Sequence, residues 1–214
     1  MNRGWERLGR WLWMGLLLGL AACSIPFSGY EVDVLKRLTP SNPFFEGSFT
    51  LGSGGADSDS REVVLAGMTP TTWVSPAGST FRTIGPIEVR YTPDSRVNLT
   101  GVVLDYKVCF TSENPEVRFS GSLTYRAYLS GDTESLFQSP NRLAEGSGDI
   151  SSLSVGPICI EGQAEATPLQ VQAFQRGLFY IGAEITGNAT SDRPARVRYR
   201  TERFVLRLSG TVRP

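Results

Sequence analysis

The chain has 214 residues, with 21 basic and 21 acidic side chains in balance and no histidine. That balance lacks the basic excess that nucleic-acid binding requires. The missing histidine removes the commonest general base and metal ligand, and with them every Ser-His-Asp and Cys-His arrangement. No Ser-Lys, paired-carboxylate or tyrosine motif stands in its place, so a non-enzymatic protein is expected, with no catalytic residue, no cofactor and no metal.

In chain order the first feature is a set of three arginines, Arg3, Arg7 and Arg10, followed by a short apolar run from Trp11 to Leu20 and then Ala21, Ala22 and Cys23. A positive start, a brief apolar stretch and small residues before a cut are the marks of an export signal. The run is short of the roughly 20 apolar residues that a spanning helix needs, and it gives way to Pro26, Ser28 and Gly29 soon after the cysteine. The tetrad Leu20-Ala21-Ala22-Cys23 resembles the lipobox of bacterial lipoproteins, a resemblance that covers only the first 23 residues. An ordinary secretory signal with an incidental cysteine is the alternative.

The resemblance implies cleavage before Cys23, a diacylglycerol group on its sulfur and an acyl chain such as palmitate on its amine. Two or more chains hold a protein stably on a membrane. By the same resemblance Ser24, rather than aspartate, after the cysteine implies outer-membrane sorting in an organism with two membranes. Residues 1–22 are read as the signal peptide, 23–30 as a short tether and 31–214 as a single β-domain. Ser24 to Gly29 would span at most about 20 Å when extended, which keeps the domain close to its membrane. Without its signal the chain keeps 192 residues and a net charge near −2, enough length for one domain with a substantial core.

Beyond the tether, strand patterns recur at short intervals between turn signals. Candidates are Phe44 to Leu51, Arg61 to Ala66, Thr71 to Val74 and Ile87 to Tyr91. From Val102 the even positions Leu104, Tyr106, Val108 and Phe110 are apolar, and from Val117 the odd positions Phe119, Leu123, Tyr125, Ala127 and Leu129 are apolar. The linking residues, Thr111 to Glu116, are turn-rich. If Phe110 lies opposite Val117, the two runs form a long hairpin with one core face.

Leu153 to Glu161, Leu169 to Phe174 and Leu178 to Thr186 are also read as strands, with Gln175-Arg176-Gly177 as a hairpin turn before the last of these. Gly187 to Ala195 is read as a polar loop, and Arg196 to Leu208 as the final strand. Near Thr201 its apolar parity switches from Val197 and Tyr199 to Phe204, Leu206 and Leu208, which predicts a β-bulge. No mature segment shows a convincing amphipathic helix. About ten strands imply an all-β, antiparallel sandwich, jelly-roll or immunoglobulin-like, with a closed barrel as runner-up.

An exported chain that keeps an even pair of cysteines, Cys109 and Cys159, is expected to join them in a disulfide. Cys109 shares the parity of Lys107, so the bridge is expected on the less buried side of one sheet, between neighbouring strands. Closing a loop of about 50 residues stabilises the fold by about 4 kcal/mol in the chain-entropy model.

Three groups could carry a site. Asp57, Asp59 and Glu62 supply oxygens of the kind calcium takes, but lack the D-x-D-x-D-G spacing, and a solvated hairpin loop is the reading that spacing favours. Arg196, Arg198 and Arg200, extended by Arg193, form a stripe able to grip phosphate or carboxylate, or an ordinary polar face with acidic neighbours such as Glu184 across the ladder. Trp73, Tyr128 and Tyr180 could stack on sugar rings or anchor an interface, or lie partly buried under a loop.

The expectation is therefore a membrane-anchored envelope lipoprotein whose β-domain is a binding or assembly module, with envelope proteins or wall polymers as partners. A carbohydrate- or wall-binding module would instead place Trp73 and the tyrosines in one exposed groove. A hydrolase would need two carboxylates about 5 to 9.5 Å apart across a cleft.

Overall fold

The computed structural model describes residues 24–39, 42–51, 61–63 and 72–214, and for 61–63 the backbone alone. Residues 1–22, expected to be a signal segment, and Cys23 lie outside the described residues. Ten strands are present among them: β1 (Ile25–Asp33), β2 (Glu46–Leu51), β3 (Arg61–Val63), β4 (Thr72–Arg90), β5 (Val97–Ser112), β6 (Phe119–Ser130), β7 (Arg142–Asp149), β8 (Ile158–Glu165), β9 (Leu178–Ser191) and β10 (Ala195–Val212). One α-helix, α1 (Pro168–Gln175), joins β8 to β9.

The strands form two antiparallel sheets that pack face to face without closing into a barrel. Sheet 1 runs β1-β10-β5-β8, with β2 beside β1 along the same edge of β10; sheet 2 runs β3-β4-β9-β6-β7. The pairings are nested: β1 with β10, β4 with β9, β5 with β8 and β6 with β7. A chain that runs out to β6 and returns alongside itself makes one long double ribbon, and rolling that ribbon brings β10 against β5 and β9 against β6. This is jelly-roll topology; an immunoglobulin-like sandwich would put its first strand beside its second.

The period-2 pattern accounts for the core. Leu104, Tyr106, Val108 and Phe110 of β5 and Leu123, Tyr125, Ala127 and Leu129 of β6 are all buried. These two strands do not pair with each other, however: β5 belongs to sheet 1 and β6 to sheet 2, and their apolar faces meet across the core, where the rings of Tyr106 and Tyr125 stack at 5.8 Å. Alternation specifies which face is buried but not whether the neighbouring run lies beside it or opposite it. The linker decides, and here it is held to β10. The Glu113 N–H donates to the Arg196 carbonyl and the Arg196 N–H to the Asn114 side chain, so the chain arches over the end of the sandwich instead of turning back.

Several expected boundaries shift. The tether is taken up into sheet 1 from Ile25 onward, where β1 pairs with β10. Thr72–Arg90 is one long strand; the Pro and Gly residues read as turns mark register shifts within it, one at the cis Gly85–Pro86 peptide. Strand β7 has no counterpart among the expected strands. Gly187 to Ser191 continues β9 rather than forming a loop. The expected bulge in β10 lies between Thr201 and Arg203.

Leu169 to Phe174 is helix, not strand. Its start carries a capping box, in which the Thr167 hydroxyl accepts from the Gln170 N–H and the Gln170 side chain accepts from the Thr167 N–H, with Pro168 in the first turn. Gly177, with φ of 74°, lies two residues past its end in the left-handed conformation and closes the helix rather than a hairpin. Cys109 and Cys159 sit directly opposite each other on β5 and β8 and form the disulfide, on the outer face of sheet 1 as the parity predicts.

Candidate functional site

The sandwich is open at one end. There β10 finishes, β5 begins and β4 runs out into the loop 91–96, and the two sheets diverge around a cleft of about 760 Å³. Its sheet 1 wall carries Val32 of β1, Leu99 of β5 and Leu208 of β10; its sheet 2 wall carries Val89 of β4 and Phe179 of β9. Val32, Val89, Leu99 and Leu208 lean on the core from one side and remain partly exposed on the other. Phe174 of α1 forms the floor, its ring 4.4 Å from that of Phe179.

The lip is the first stretch of β1. Between Phe27 and Tyr30 the pairing with β10 slips, and Gly29 takes a φ of 75°, so the strand bows and Phe27 and Tyr30 border the opening. Tyr30 is 61% exposed and Ile25, at the start of the same strand, 62%. Two large apolar side chains stand uncovered within seven residues of Cys23.

Polar groups around the cleft are mostly committed. Glu88 pairs with Arg90 and also accepts from the Tyr180 hydroxyl, and Asp94 pairs with Arg96 at 2.7 Å, which holds the Asp94 carboxyl down at about 2. The Tyr91 hydroxyl donates to the Phe174 carbonyl, and burial pushes its pKa up. The Gln175 amide donates to Asn98 and to the Leu99 carbonyl. Arg37, at the end of the short helical turn after β1, borders the cleft exposed and makes no ion pair among the described residues.

The residues singled out from the sequence fall elsewhere. Asp57 and Asp59 lie outside the described residues, and the Glu62 backbone is paired with Trp73. Arg196, Arg198 and Arg200 stand on the outer face of sheet 1. Arg198 reaches Glu113 at 3.1 Å and Arg196 reaches Glu113 at 3.6 Å and the Ser48 hydroxyl, so the acidic neighbour is the arch residue rather than Glu184. Arg200 makes no ion pair among the described residues; it lies between Glu46 and Cys109 in register.

Trp73, Tyr128 and Tyr180 belong to sheet 2 and do not form one groove. Trp73 faces Ser191 and Tyr180 faces Glu88, at opposite ends of the β4–β9 ladder and about 35 Å apart at ~3.3 Å per residue. Tyr128, expected as an exposed ring, is 4% exposed, because the loop 131–141 lays Phe137 against it at 5.4 Å. Its hydroxyl donates to Glu184 at 2.6 Å, and burial together with that bond raises its pKa to about 12.

Sequence reasoning missed the strongest electrostatic feature of sheet 1. Asp105, 6% exposed on the outer face, is clamped by Arg203 at 2.8 Å and Arg207 at 3.1 Å, and these reach on to Glu161 and Glu31. A carboxylate this buried needs such partners. The clamp ties β1, β10, β5 and β8 together and is structural. The signal for it was present: past the Thr201 bulge, Arg203 and Arg207 inherit the outward parity of the arginine stripe. No protein-family model matches the chain, and no curated protein is significantly similar to it.

Proposed function

We propose that this protein is a lipid-anchored lipoprotein of the cell envelope whose jelly-roll domain is a non-enzymatic binding module, with the cleft at the open end as its ligand site. The observation that carries the reading is the position of that cleft. Its lip is strand β1, which begins two residues after Cys23, so anchoring that cysteine holds the opening against the membrane surface. Exposed Ile25 and Tyr30 at this edge suit a boundary where one side is apolar. The cleft volume lies in the ~300–1,000 Å³ range of small-molecule sites, and its walls are apolar with few polar groups, which is the usual composition of such sites.

In a two-membrane organism Ser24 directs the anchor to the outer membrane. Envelope proteins and wall polymers are the neighbours the domain meets there. The test combines Cys23→Ser with fractionation and metabolic labelling by an alkyne-bearing fatty acid. The wild-type chain is expected in the membrane fraction and labelled, and the variant soluble and unlabelled. A variant that stayed in the membrane fraction would overturn the anchor.

A further inference from the structure

The cleft limits what can occupy it. A peptide would bring amide groups that each need a partner, and burying them unpaired costs several kcal/mol; yet the Tyr91 hydroxyl, the Gln175 amide and the Glu88–Arg90 and Asp94–Arg96 pairs are already satisfied within the protein. What the cleft offers is an apolar slot between Val32, Leu99 and Leu208 on one side and Val89 and Phe179 on the other, floored by Phe174. At its border stands one cation, Arg37, without a carboxylate among the described residues. A slot of this kind fits a molecule with a long apolar body and a single anionic end.

We propose that the cleft binds a free long-chain fatty acid, with the acyl chain between the two sheets and the carboxylate on the Arg37 guanidinium. This rests on the reading of the cleft as a ligand site. A guanidinium presents a planar fork that matches a carboxylate with two parallel hydrogen bonds, and the bond is charge-assisted. Charge also separates this occupant from the diacylglycerol group proposed on Cys23, which is neutral and gives Arg37 nothing to pair with. The bowed start of β1, with Phe27 and Tyr30 at the opening, supplies an apolar entry from the membrane side.

The test uses the full chain in the membranes of cells that express it, with a palmitate probe carrying a photoreactive diazirine on its chain. Irradiation is expected to label Val89 and Leu99 on the cleft walls, and unlabelled palmitate to compete at least tenfold better than hexadecanol. Arg37→Glu should lower wall labelling about tenfold or more, while Arg37→Lys, which keeps the charge but loses the fork, should fall between that variant and the wild type, all three proteins having the same thermal unfolding midpoint. If hexadecanol competes as well as palmitate, or Arg37→Glu labels like wild type, the fatty-acid assignment fails and the cleft remains a site for neutral apolar molecules. If neither the palmitate probe nor a hexadecanol carrying the same diazirine labels the walls, the ligand-site reading fails with it.

Discussion

The centre of the sandwich and its open end are built from the same alternating strands, and they differ in what the opposite sheet offers. In the centre, the ring of Tyr106 in sheet 1 stacks on that of Tyr125 in sheet 2, and Phe110 and Leu123 are buried with them. At the open end Val32, Leu99 and Leu208 project the same way from the same sheet, yet Val89 and Phe179 stand off across a cleft. Identical patterning thus yields stability in one place and space in the other, because the pattern sets the direction of a side chain and not the distance to its partner. Strand β5 passes through both regions, with Tyr106 and Phe110 in the centre and Leu99 at the cleft.

The largest test of this contrast is a pair of truncations. Phe110→Ala should destabilise the fold by about 3–5 kcal/mol, since it opens a cavity in a closed core, whereas Leu208→Ala should cost about 1 kcal/mol because its outer side already lacks neighbours. Urea denaturation of the two variants compares them. Equal losses would mean that the open end is packed like the centre.

Alkaline pH separates the regions by their phenols. Burial raises the pKa of Tyr125, Tyr199 and Tyr106 in the centre, and that of Tyr128 to about 12. A phenol whose folded pKa is raised contributes stability that is complete below its unfolded value of about 10 and is lost as pH climbs through the folded value. Stability should therefore hold to about pH 10 and fall steeply towards pH 12, with phenolate absorbance from these residues appearing together with unfolding. Titration of these four phenols in a chain that stays folded would contradict the packing of the centre.

The smallest effect concerns the floor of the cleft. Thr167→Ala removes the hydroxyl that caps α1 and should cost about 1 kcal/mol, read as a lowered melting temperature. Because Phe174 sits on that helix, the same change should speed amide exchange in Pro168–Gln175 and leave β5 and β6 unaltered.

Much of the centre was legible from the sequence. The runs from Val102 and Val117, the bulge near Thr201 and the outward disulfide all stem from period-2 parity, which is a local property. The crossing of β5 and β6 into separate sheets was not legible, since it depends on hydrogen bonds from the arch to β10. Nor was the cleft: Val32, Val89, Leu99 and Leu208 lie on four strands spread from the first to the last of the chain's described strands, and nothing local distinguishes them from core residues. Helix α1 was legible in principle, because Thr167, Pro168 and Gln170 carry a cap signal, but its brief apolar run reads equally as a strand.

That one end of the molecule is built to be filled is tested most directly by hydrogen–deuterium exchange of the full chain with and without palmitate. Slower exchange is expected, confined to residues 27–38, 88–99, 174–179 and 206–212, with β6 and the middle of β9 unchanged. Uniform protection along the chain, or none at the cleft strands, would contradict it.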